Sequence, residues 1–243
     1  MIGIIDVHCH ILPGVDDGAD TVEEALSMLK REYEDGVRAV ILTPHYRRKM
    51  FEADWTVLEE SYKRLCGALD GKNWKMPLYL GCEYHVDTDM TEALKRKERP
   101  GMAGSRYVLT EFSGKAEIAY IRERAGALLS CGFRPVIAHV ERCDCLRKKM
   151  EQIEELVEMG VRIQVNAGSI TGEEGFGTAR FCRKLMKRDL LHFVGTDAHG
   201  IRRRTPNMGA CAAYLEKKMG TEYARKILCE NPEKILKEGA NEK

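Results

Sequence analysis

Residues 2–18 of the chain read IGIIDVHCHILPGVDDG, and the first predicted strand and the first candidate site residues lie in this segment. The apolar run Ile2–Val7 predicts a β-strand. His8 and His10, two residues of a metal-binding type, come at its end, and Asp16 and Asp17 follow a few residues later. Residues two apart on a strand point to the same side, so His8 and His10 are expected to lie together. The stretch therefore predicts a buried strand whose carboxyl end carries functional groups.

The same succession of a short apolar run and an amphipathic segment recurs along the chain. The predicted strands are Ile2–Val7, Val37–Leu42, Pro77–Leu80, Tyr107–Thr110, Pro135–Ala138, Val161–Val165 and His192–Val194. The predicted helices are Val22–Tyr33, Trp55–Leu69, Ile118–Ser130, Glu151–Met159, Arg180–Lys187 and Gly209–Lys218. Strands alternating with helices indicate a parallel sheet, because parallel strands need crossover connections. We expect an α/β fold, a distorted (β/α)7 TIM-like barrel, with residues 1–243 forming a single domain.

The first helix carries signals at both of its ends. Asp20, followed three residues later by Glu23, is predicted as its N-cap. Gly36 is predicted to end it, because glycine adopts the left-handed conformation common after helices.

Composition excludes several classes of protein. The chain has 243 residues, and its 39 basic and 38 acidic side chains give a net charge of +1, which argues against nucleic acid or an anionic membrane as the main partner. The sequence has neither the ~18 consecutive apolar residues of a membrane span nor a signal-peptide pattern, so we expect a cytoplasmic protein without membrane insertion. Its nine cysteines are odd in number and irregularly spaced, which is not a disulfide framework.

Every predicted strand ends in a side chain suited to metal binding or hydrogen bonding, and Asn166 ends the sixth. The candidate metal ligands are His8, His10, Asp17, His45, Glu83, Glu111, His139, Asp197 and His199. The carboxyl ends of parallel barrel strands surround one mouth, where barrel enzymes carry their active sites. We expect these side chains to meet there.

Imidazoles and carboxylates crowded into one cavity would be strongly repulsive and desolvated without cations. Nine candidates are too many for one ion and sufficient for two or three. This mixed ligand set suits zinc, manganese or iron. Neighbouring divalent ions activate water and bind the oxygens of an in-line displacement, so the pattern predicts hydrolysis, with phosphoesters as the natural substrate.

Arginines follow several of the candidate ligands. Arg142 follows His139, the run Arg202–Arg204 follows His199, and Arg47 follows His45. A guanidinium binds two phosphate oxygens in a fork, whereas a surface arginine is often simply solvated. We favour Arg142 and Arg204 as catalytic, phosphate-binding residues, with Arg47 as a further substrate-binding candidate.

The motifs together resemble the polymerase-and-histidinol-phosphatase (PHP) superfamily, and more closely its bacterial capsular and exopolysaccharide protein-tyrosine phosphatases. Those that carry the resemblance are Asp6–Gly18, Thr43–Tyr46, Gly81–Glu83, Leu109–Phe112, Ile137–Arg142, Gln164–Asn166, Asp197–His199 and Asn231–Ile235. They span nearly the whole chain in the family's order. Cys9 departs from the pattern, because a serine is common at that position. The run Arg202–Arg204 leaves open which of its arginines contacts phosphate.

The resemblance implies a PHP fold with a centre of three divalent metal ions, usually manganese. It implies three ligand sets: His8, His10, Glu83 and Asp197; Glu83, Glu111 and His139; and Asp17, His45 and His199. It further implies hydrolysis of phosphotyrosine by attack of a metal-bound hydroxide. The implied substrate is the C-terminal tail of a bacterial tyrosine autokinase that controls capsule or exopolysaccharide synthesis.

Four other readings compete with this one. A PHP-type small-molecule phosphatase, such as a histidinol-phosphatase, would use much the same ligands. A cysteine-dependent phosphatase needs a Cys-x5-Arg loop, and the match from Cys182 to Arg188 lies in a predicted helix without glycine. An amidohydrolase would share the His-x-His strand but need a bridging lysine, which no strand end supplies. A purely regulatory module that binds the kinase tail would not need intact ligands.

Overall fold

The computed structural model describes residues 3–241, in which strands and helices alternate as the sequence pattern predicts. Ile2, where the first apolar run begins, lies outside the described residues. The strands are β1 (Ile4–Cys9), β2 (Val37–Leu42), β3 (His45–Tyr46), β4 (Leu78–Leu80), β5 (Glu83–His85), β6 (Tyr107–Glu111), β7 (Arg134–Ile137), β8 (Arg162–Asn166) and β9 (Phe193–Gly195).

Two of the predicted strands are each followed by a second, short strand beyond a break. Pro44 has no N–H to donate, and the pairing of β2 stops before it and resumes in β3. The next strand is also interrupted, at Gly81 and Cys82 between β4 and β5. One sheet has the order β1-β2-β4 and the other β3-β5-β6-β7-β8-β9, with all neighbours parallel.

Backbone hydrogen bonds join the last strand to the first. The Asp197 N–H donates to the His8 carbonyl at 2.8 Å, and the His10 N–H donates to the Ala198 carbonyl at 2.9 Å. Because β2 runs on into β3 and β4 into β5, the two sheets together form one curled parallel barrel. The predicted α/β fold, a distorted TIM-like barrel, is confirmed.

Helices cover the outside of this barrel. They are α1 (Val22–Glu34), α2 (Trp55–Asp70), α3 (Met90–Lys95), α4 (Ile118–Ser130), α5 (Asp144–Lys148), α6 (Met150–Glu158), α7 (Ala167–Thr171), α8 (Phe176–Lys187), α9 (Met208–Met219), α10 (Thr221–Arg225) and α11 (Asn231–Asn241). A π-helical turn, Lys226–Glu230, joins α10 to α11, and 3₁₀ turns occupy Met102–Gly104 and Val140–Arg142. The predicted helices correspond to α1, α2, α4, α6, α8 and α9, and α8 begins earlier than expected, at Phe176.

The start of α1 corrects one prediction. Thr21, not Asp20, is the N-cap, because its backbone is extended and its hydroxyl accepts a hydrogen bond from the Glu24 N–H at 3.2 Å. Glu24 accepts a hydrogen bond from the Asp20 N–H at 3.2 Å, so the capping pattern is displaced by one residue. At the other end Gly36 follows the helix with φ +93°, as predicted.

The apolar core has two layers. The larger lies between the strands and the helices. The smaller fills the barrel, and its members include Ile5 and Val7 of β1, Leu109 of β6, Phe193 of β9 and Ile235 of α11. Ile235 is fully buried, so α11 contributes to the floor of the barrel. The polar side chains lie at the opposite end of the barrel, its mouth.

Candidate metal centre

The mouth of the barrel brings all nine candidate ligands together. Four groups place one ligand atom from each member within 4.8 Å of the others: His10 with Asp17, His45 and His199; His8 with His10 and Asp197; His8 with Glu83 and His139; and His45 with Glu83 and Glu111. Shared members link the groups into one cluster. The nine side chains therefore form one continuous set of potential metal ligands.

A bulge in β1 places two of these imidazoles. Strict alternation from Ile5 and Val7, which pack inside the barrel, would turn His8 outward. Between Asp6 and Cys9 the pairing with β2 contains one extra residue, which turns the strand locally. His8 and His10 consequently meet at the mouth, with their Nε2 atoms 3.3 Å apart.

Glu83 lies at the centre of the cluster and is fully buried. Its Oε2 is 3.2 Å from Nε2 of both His8 and His10 and 3.0 Å from Nδ1 of His45. Its Oε1 is 3.0 Å from Nε2 of His139, which is also 3.9 Å from Oε1 of Glu111. One carboxylate thus faces four imidazoles.

Asp197 uses its two oxygens differently. Oδ2 accepts hydrogen bonds from Nη1 of Arg142 at 2.8 Å and from Nδ2 of Asn166 at 2.8 Å, and it pairs with Nη2 of Arg204 at 2.7 Å. Oδ1 faces Nε2 of His8 and His10 at 3.6 and 3.5 Å. The carboxylate is therefore anchored on one side and open to the cluster on the other.

At His10, Glu83 and Asp197, opposite charges outweigh burial in fixing the ionisation state. Burial lowers the pKa of His10, but the Asp16 carboxylate 2.8 Å from its Nδ1 raises that pKa well above its usual value overall. Burial also opposes ionisation of Glu83 and Asp197, yet the facing imidazoles, His8 first, hold the pKa of both carboxyls well below the usual range. Both carboxylates stay negative and attract cations.

Two further imidazoles titrate in opposite directions. Burial lowers the pKa of His139, but contact with Glu83 outweighs it and raises that pKa to about 9. Burial, followed by the charge of His10, lowers the pKa of His199 to about 3. His199 is therefore neutral at physiological pH, the form in which imidazole binds metals.

Buried polar atoms without hydrogen bonds provide a test of whether cations fit here. Among the described residues, Glu83 Oε2, Asp197 Oδ1, His45 Nδ1, His139 Nδ1 and His199 Nε2 are buried and make no hydrogen bond. Leaving such atoms unsatisfied is costly, and most of these face the same cluster. Nitrogen and carboxylate donors at this spacing fit divalent metal ions.

Three of the non-glycine residues with positive φ lie at the same mouth. His139, Asp197 and Arg204 have positive φ values of 29°, 53° and 47°, which residues other than glycine rarely adopt. Strain of this kind persists only where the surrounding structure enforces it, and it often marks functional sites.

Comparison with known proteins identifies the family. The model of the family described as "Capsular polysaccharide synthesis, CpsB/CapC" matches residues 4–237. The chain belongs to the CpsB/CapC family. Tyrosine-protein phosphatase CpsB of Streptococcus pneumoniae is 33% identical over 238 residues, which cover 96% of this chain and 98% of that protein. Tyrosine-protein phosphatase YwqE of Bacillus subtilis is 30% identical over 234 residues, 96% of this chain and 92% of that one.

Solved structures agree with this membership. A chain from the crystal structures of Bacillus subtilis YwqE and Streptococcus pneumoniae CpsB, described as unique metal-dependent tyrosine phosphatases, superposes with a TM-score of 0.91 at 29% identity, over 97% of this chain and 95% of that one. A phosphotriesterase homology protein from Escherichia coli, with a TM-score of 0.62 at 14% identity over 97% and 99% of the two chains, shares the fold. Within the described residues, no helix is long and apolar enough to cross a membrane.

The predicted arginines of this CpsB/CapC chain differ in their surroundings. Arg142 and Arg204 both contact Asp197 at the centre, and Nη2 of Arg142 also donates to Glu174 at 2.9 Å. Arg47 is exposed in a short loop whose ends pair through its own backbone and that of Phe51. Phe51 stacks on the His45 ring with centroids 5.2 Å apart, so this loop lies over one side of the cluster.

Sequence reasoning missed the residues that hold the candidate ligands in place. Asp16, which is not among the nine candidate ligands, accepts a hydrogen bond from the His45 N–H at 2.9 Å and lies 2.8 Å from Nδ1 of His10. Gln164 was given no role beyond its motif, yet its Oε1 accepts from the His139 N–H at 2.6 Å. The signal that was available was position, because both residues immediately precede candidate ligands or strand ends.

The competing cysteine-dependent site does not form in this CpsB/CapC chain. Cys182 lies inside α8 and is fully buried. Burial raises the pKa of its thiol, so the thiolate that a nucleophile needs is disfavoured.

Proposed function

We propose that this chain is a metal-dependent tyrosine-protein phosphatase with three divalent metal ions, manganese being the expected ion and iron or zinc the alternatives. The observation that carries the proposal is one linked cluster of nine imidazoles and carboxylates, in which Glu83 faces four imidazoles, beside two arginines. The similarity to tyrosine-protein phosphatases over almost the whole chain supports it. We also propose that residues 1–243 act as one phosphatase domain.

The proposed ligands follow the three sets that the resemblance implies, with Glu83 shared by two of them. When bound, divalent ions offset the charge of the phosphate and activate the attacking water. Glu83 lies within 3.2 Å of His8, His10, His45 and His139, so it orders the imidazoles around the ions.

The proposed roles of Arg142 and Arg204 follow from their contacts. Both guanidinium groups lie within 2.8 Å of Asp197 Oδ2, and both side chains remain partly exposed at the mouth. Each can keep contact with Asp197 and offer its other N–H groups to phosphate oxygens. The leaving group, a tyrosine phenolate with a pKa of ~10, needs little help from a general acid. Arg47 is proposed to contact substrate at the edge of the mouth.

The proposed protein substrate is the tyrosine-phosphorylated tail of a bacterial autokinase that controls capsule or exopolysaccharide synthesis. The family description and the names of the relatives support this assignment. Action on such a tail would place the protein in the cytoplasm.

The test is hydrolysis of a phosphotyrosine peptide and of histidinol phosphate by protein that has been stripped with chelator and then supplied with manganese. We expect the peptide to be hydrolysed, and only after manganese is added. His139→Ala and Asp197→Ala should lower kcat by more than ~100-fold, because each removes a proposed ligand, while circular dichroism shows a retained fold. His192→Asn is the matched control, because His192 lies outside the cluster and its Nδ1 only accepts the Ile163 N–H at 3.2 Å.

Two results would contradict the proposal. Full activity of metal-free protein, or of either variant, would contradict metal-dependent catalysis by these residues. Hydrolysis of histidinol phosphate with a much higher kcat/KM than the peptide would instead assign a small-molecule phosphatase.

A further inference from the structure

Helix α8 (Phe176–Lys187) carries one kind of charge on its outer face. Its inner side, which includes Phe181 and Leu185, is buried in the core. The helix contains no acidic residue, and its cations follow one another at spacings of three and four residues, which places them along one face. These cations are Arg180, Arg183, Lys184 and Lys187. The outer face of α8 is therefore uniformly positive.

The stability of the helix does not account for this charge. Lys184 and Lys187 lie in the last turn, where positive charge favours the helix dipole, but Arg180 and Arg183 lie nearer the middle. Arg180 precedes Lys184 by four residues, as Arg183 precedes Lys187, and like charges at this spacing destabilise a helix. The positive face thus works against the helix that carries it.

Neighbouring carboxylates do not neutralise this face. Among residues 3–241, none of its four cations forms an ion pair with an acidic side chain. The acidic side chains closest to the helix have other partners: Glu173 contacts Asn207, Glu174 pairs with Arg142, Asp189 with Lys226 and Glu154 with Arg188. The positive charge is therefore available to an external partner.

The positive face continues into a cavity of about 420 Å³ between α8 and α9. Arg183 and Lys187 line it from α8, and Lys218 lines it from α9, with Tyr214 and Met219 beside it. Among the described residues that line this cavity, none is acidic. The cavity thus suits an anionic group that has an apolar part attached.

The same face exposes one aromatic side chain. Phe176, four residues before Arg180, is 75% exposed, and the guanidinium carbon of Arg183 lies 5.5 Å from the centre of its ring. An exposed aromatic ring beside cations is typical of proteins that bind a membrane surface, because the ring enters the interface while the cations meet anionic headgroups. A dissolved acidic polymer would use the cations but not the ring.

The net charge of +1 for the whole chain does not oppose such binding. Exposed charges are screened beyond ~8 Å at physiological ionic strength, so an approaching surface responds to the nearest face of the molecule.

We propose that the outer face of α8, with the adjoining cavity, binds the surface of an anionic phospholipid bilayer. The cations contact lipid phosphates, and Phe176 enters the interface. Glu174, two residues before Phe176, pairs with Arg142 at 2.9 Å, so binding through this face brings the mouth of the barrel close to the bilayer.

The test is co-sedimentation of the full chain with vesicles of two compositions. One contains only phosphatidylcholine, which has no net charge, and in the other about 30% of the lipid is anionic phosphatidylglycerol. We expect binding to the anionic vesicles alone, and we expect it to decrease as salt is added. Binding to neither kind of vesicle, or equally to both, would overturn the inference.

Two double variants show whether this face is responsible. Arg180→Gln/Lys184→Gln removes two exposed cations of α8 and should weaken binding by about 30-fold, since each cation near such a surface contributes about fivefold. Lys63→Gln/Arg64→Gln is the matched control, because it removes the same charge from exposed positions of α2, and its binding should be unchanged. Equal losses in the two variants would indicate a response to net charge alone and would overturn the inference.

A third variant separates a membrane surface from a dissolved polyanion. Phe176→Ser keeps every cation and should weaken binding to the anionic vesicles, while circular dichroism shows a retained fold. Unchanged vesicle binding by Phe176→Ser, or tighter binding of the unaltered chain to dissolved polyglutamate than to the vesicles, would assign the face to an acidic polymer and overturn the inference.

Discussion

At the scale of single residues, the candidate ligands are oriented by a buried amide. Gln164 Oε1 accepts the His139 N–H and lies 3.3 Å from Nδ1 of His8. Its Nε2 donates to Asn166 Oδ1 at 3.1 Å, and Asn166 in turn donates to Asp197. Gln164 thus contacts two of the proposed ligands directly and is linked to a third, Asp197, through Asn166. Such outer contacts determine how well a metal is held.

Gln164→Leu should therefore weaken metal binding without unfolding the chain. Leucine has nearly the same size but neither donor nor acceptor, so we expect manganese affinity to fall by about 10–100-fold. The measurement is calorimetric titration of manganese into chelator-treated protein. Gln152→Leu on α6, the other glutamine of the sequence, is the control. An unchanged dissociation constant in Gln164→Leu would show that the amide does not support the site.

The buried carboxyl group of Glu32 should make the free energy of unfolding depend on pH. Glu32 of α1 is fully buried beside Asp6, and neither of its oxygens receives a hydrogen bond from the described residues. Burial, followed by the charge of Asp6, raises its pKa well above the usual value. Its protonated form is favoured in the folded state, so the stability it contributes is complete below pH ~4.5 and is lost as the pH rises through the folded pKa.

Glu32→Gln should remove this dependence. We expect the variant to match the unaltered protein near pH 4.5 and to exceed it by on the order of 1 kcal/mol at pH 8, because the amide stays neutral. Urea unfolding at the two pH values measures the difference. Glu34→Gln, on an exposed face of the same helix, should show no such divergence. Lower stability of Glu32→Gln at pH 8 would mean that the carboxylate is required there.

At the scale of secondary-structure elements, the sequence predicts the strands and helices that are encoded by one continuous residue pattern. The strand Val37–Leu42 and the helix Ile118–Ser130 have the predicted bounds, because each is a continuous run of one pattern. The short strands His45–Tyr46 and Glu83–His85 were not predicted, since they depend on neighbours distant in the sequence. The bulge in β1 is equally non-local. The candidate ligands could nevertheless be named, because the end of a strand can be recognised in the sequence even where its register cannot, and the structure brings these side chains together.

The C-terminal helix was also not predicted, and its packing depends on a glycine. A Cβ at Gly239 of α11 would lie 2.1 Å from the Ala103 carbonyl oxygen in the 3₁₀ turn Met102–Gly104. This close approach lets α11 pack against the barrel floor. Gly239→Ala should therefore destabilise the chain by about 1–3 kcal/mol, although alanine favours helices.

The same substitution elsewhere provides the control. Gly126 lies inside α4, and a Cβ there meets nothing within 4 Å. Gly126→Ala should stabilise the chain by about 0.5–1 kcal/mol. Both effects are measured as changes in the free energy of unfolding in urea. Equal stabilisation by the two substitutions would show that α11 does not depend on the contact.

At the scale of the whole molecule, the candidate metal centre depends on the closed barrel. The ligands come from strands spread around the whole barrel, from His8 in β1 to Asp197 after β9, and they meet only when the ring closes. A cation bound there is a link between distant segments that the unfolded chain cannot form. Without it, the carboxylates and imidazoles must be satisfied by protons and by one another.

Metal binding should therefore raise the stability of the entire chain. A ligand present at 100 times its dissociation constant adds about 2.7 kcal/mol, which is a rise of roughly 5–10 °C in Tm for a chain of this length. Differential scanning calorimetry in chelator and in manganese measures this shift, with calcium as a control ion because it prefers all-oxygen sites. Glu83→Gln should lose most of the shift, since it removes the carboxylate that faces four imidazoles, whereas His192→Asn should keep it. If the Tm were the same in chelator and in manganese, the cluster would have to be held by hydrogen bonds alone, and the orphaned atoms of Glu83, Asp197 and His199 would be left without an explanation.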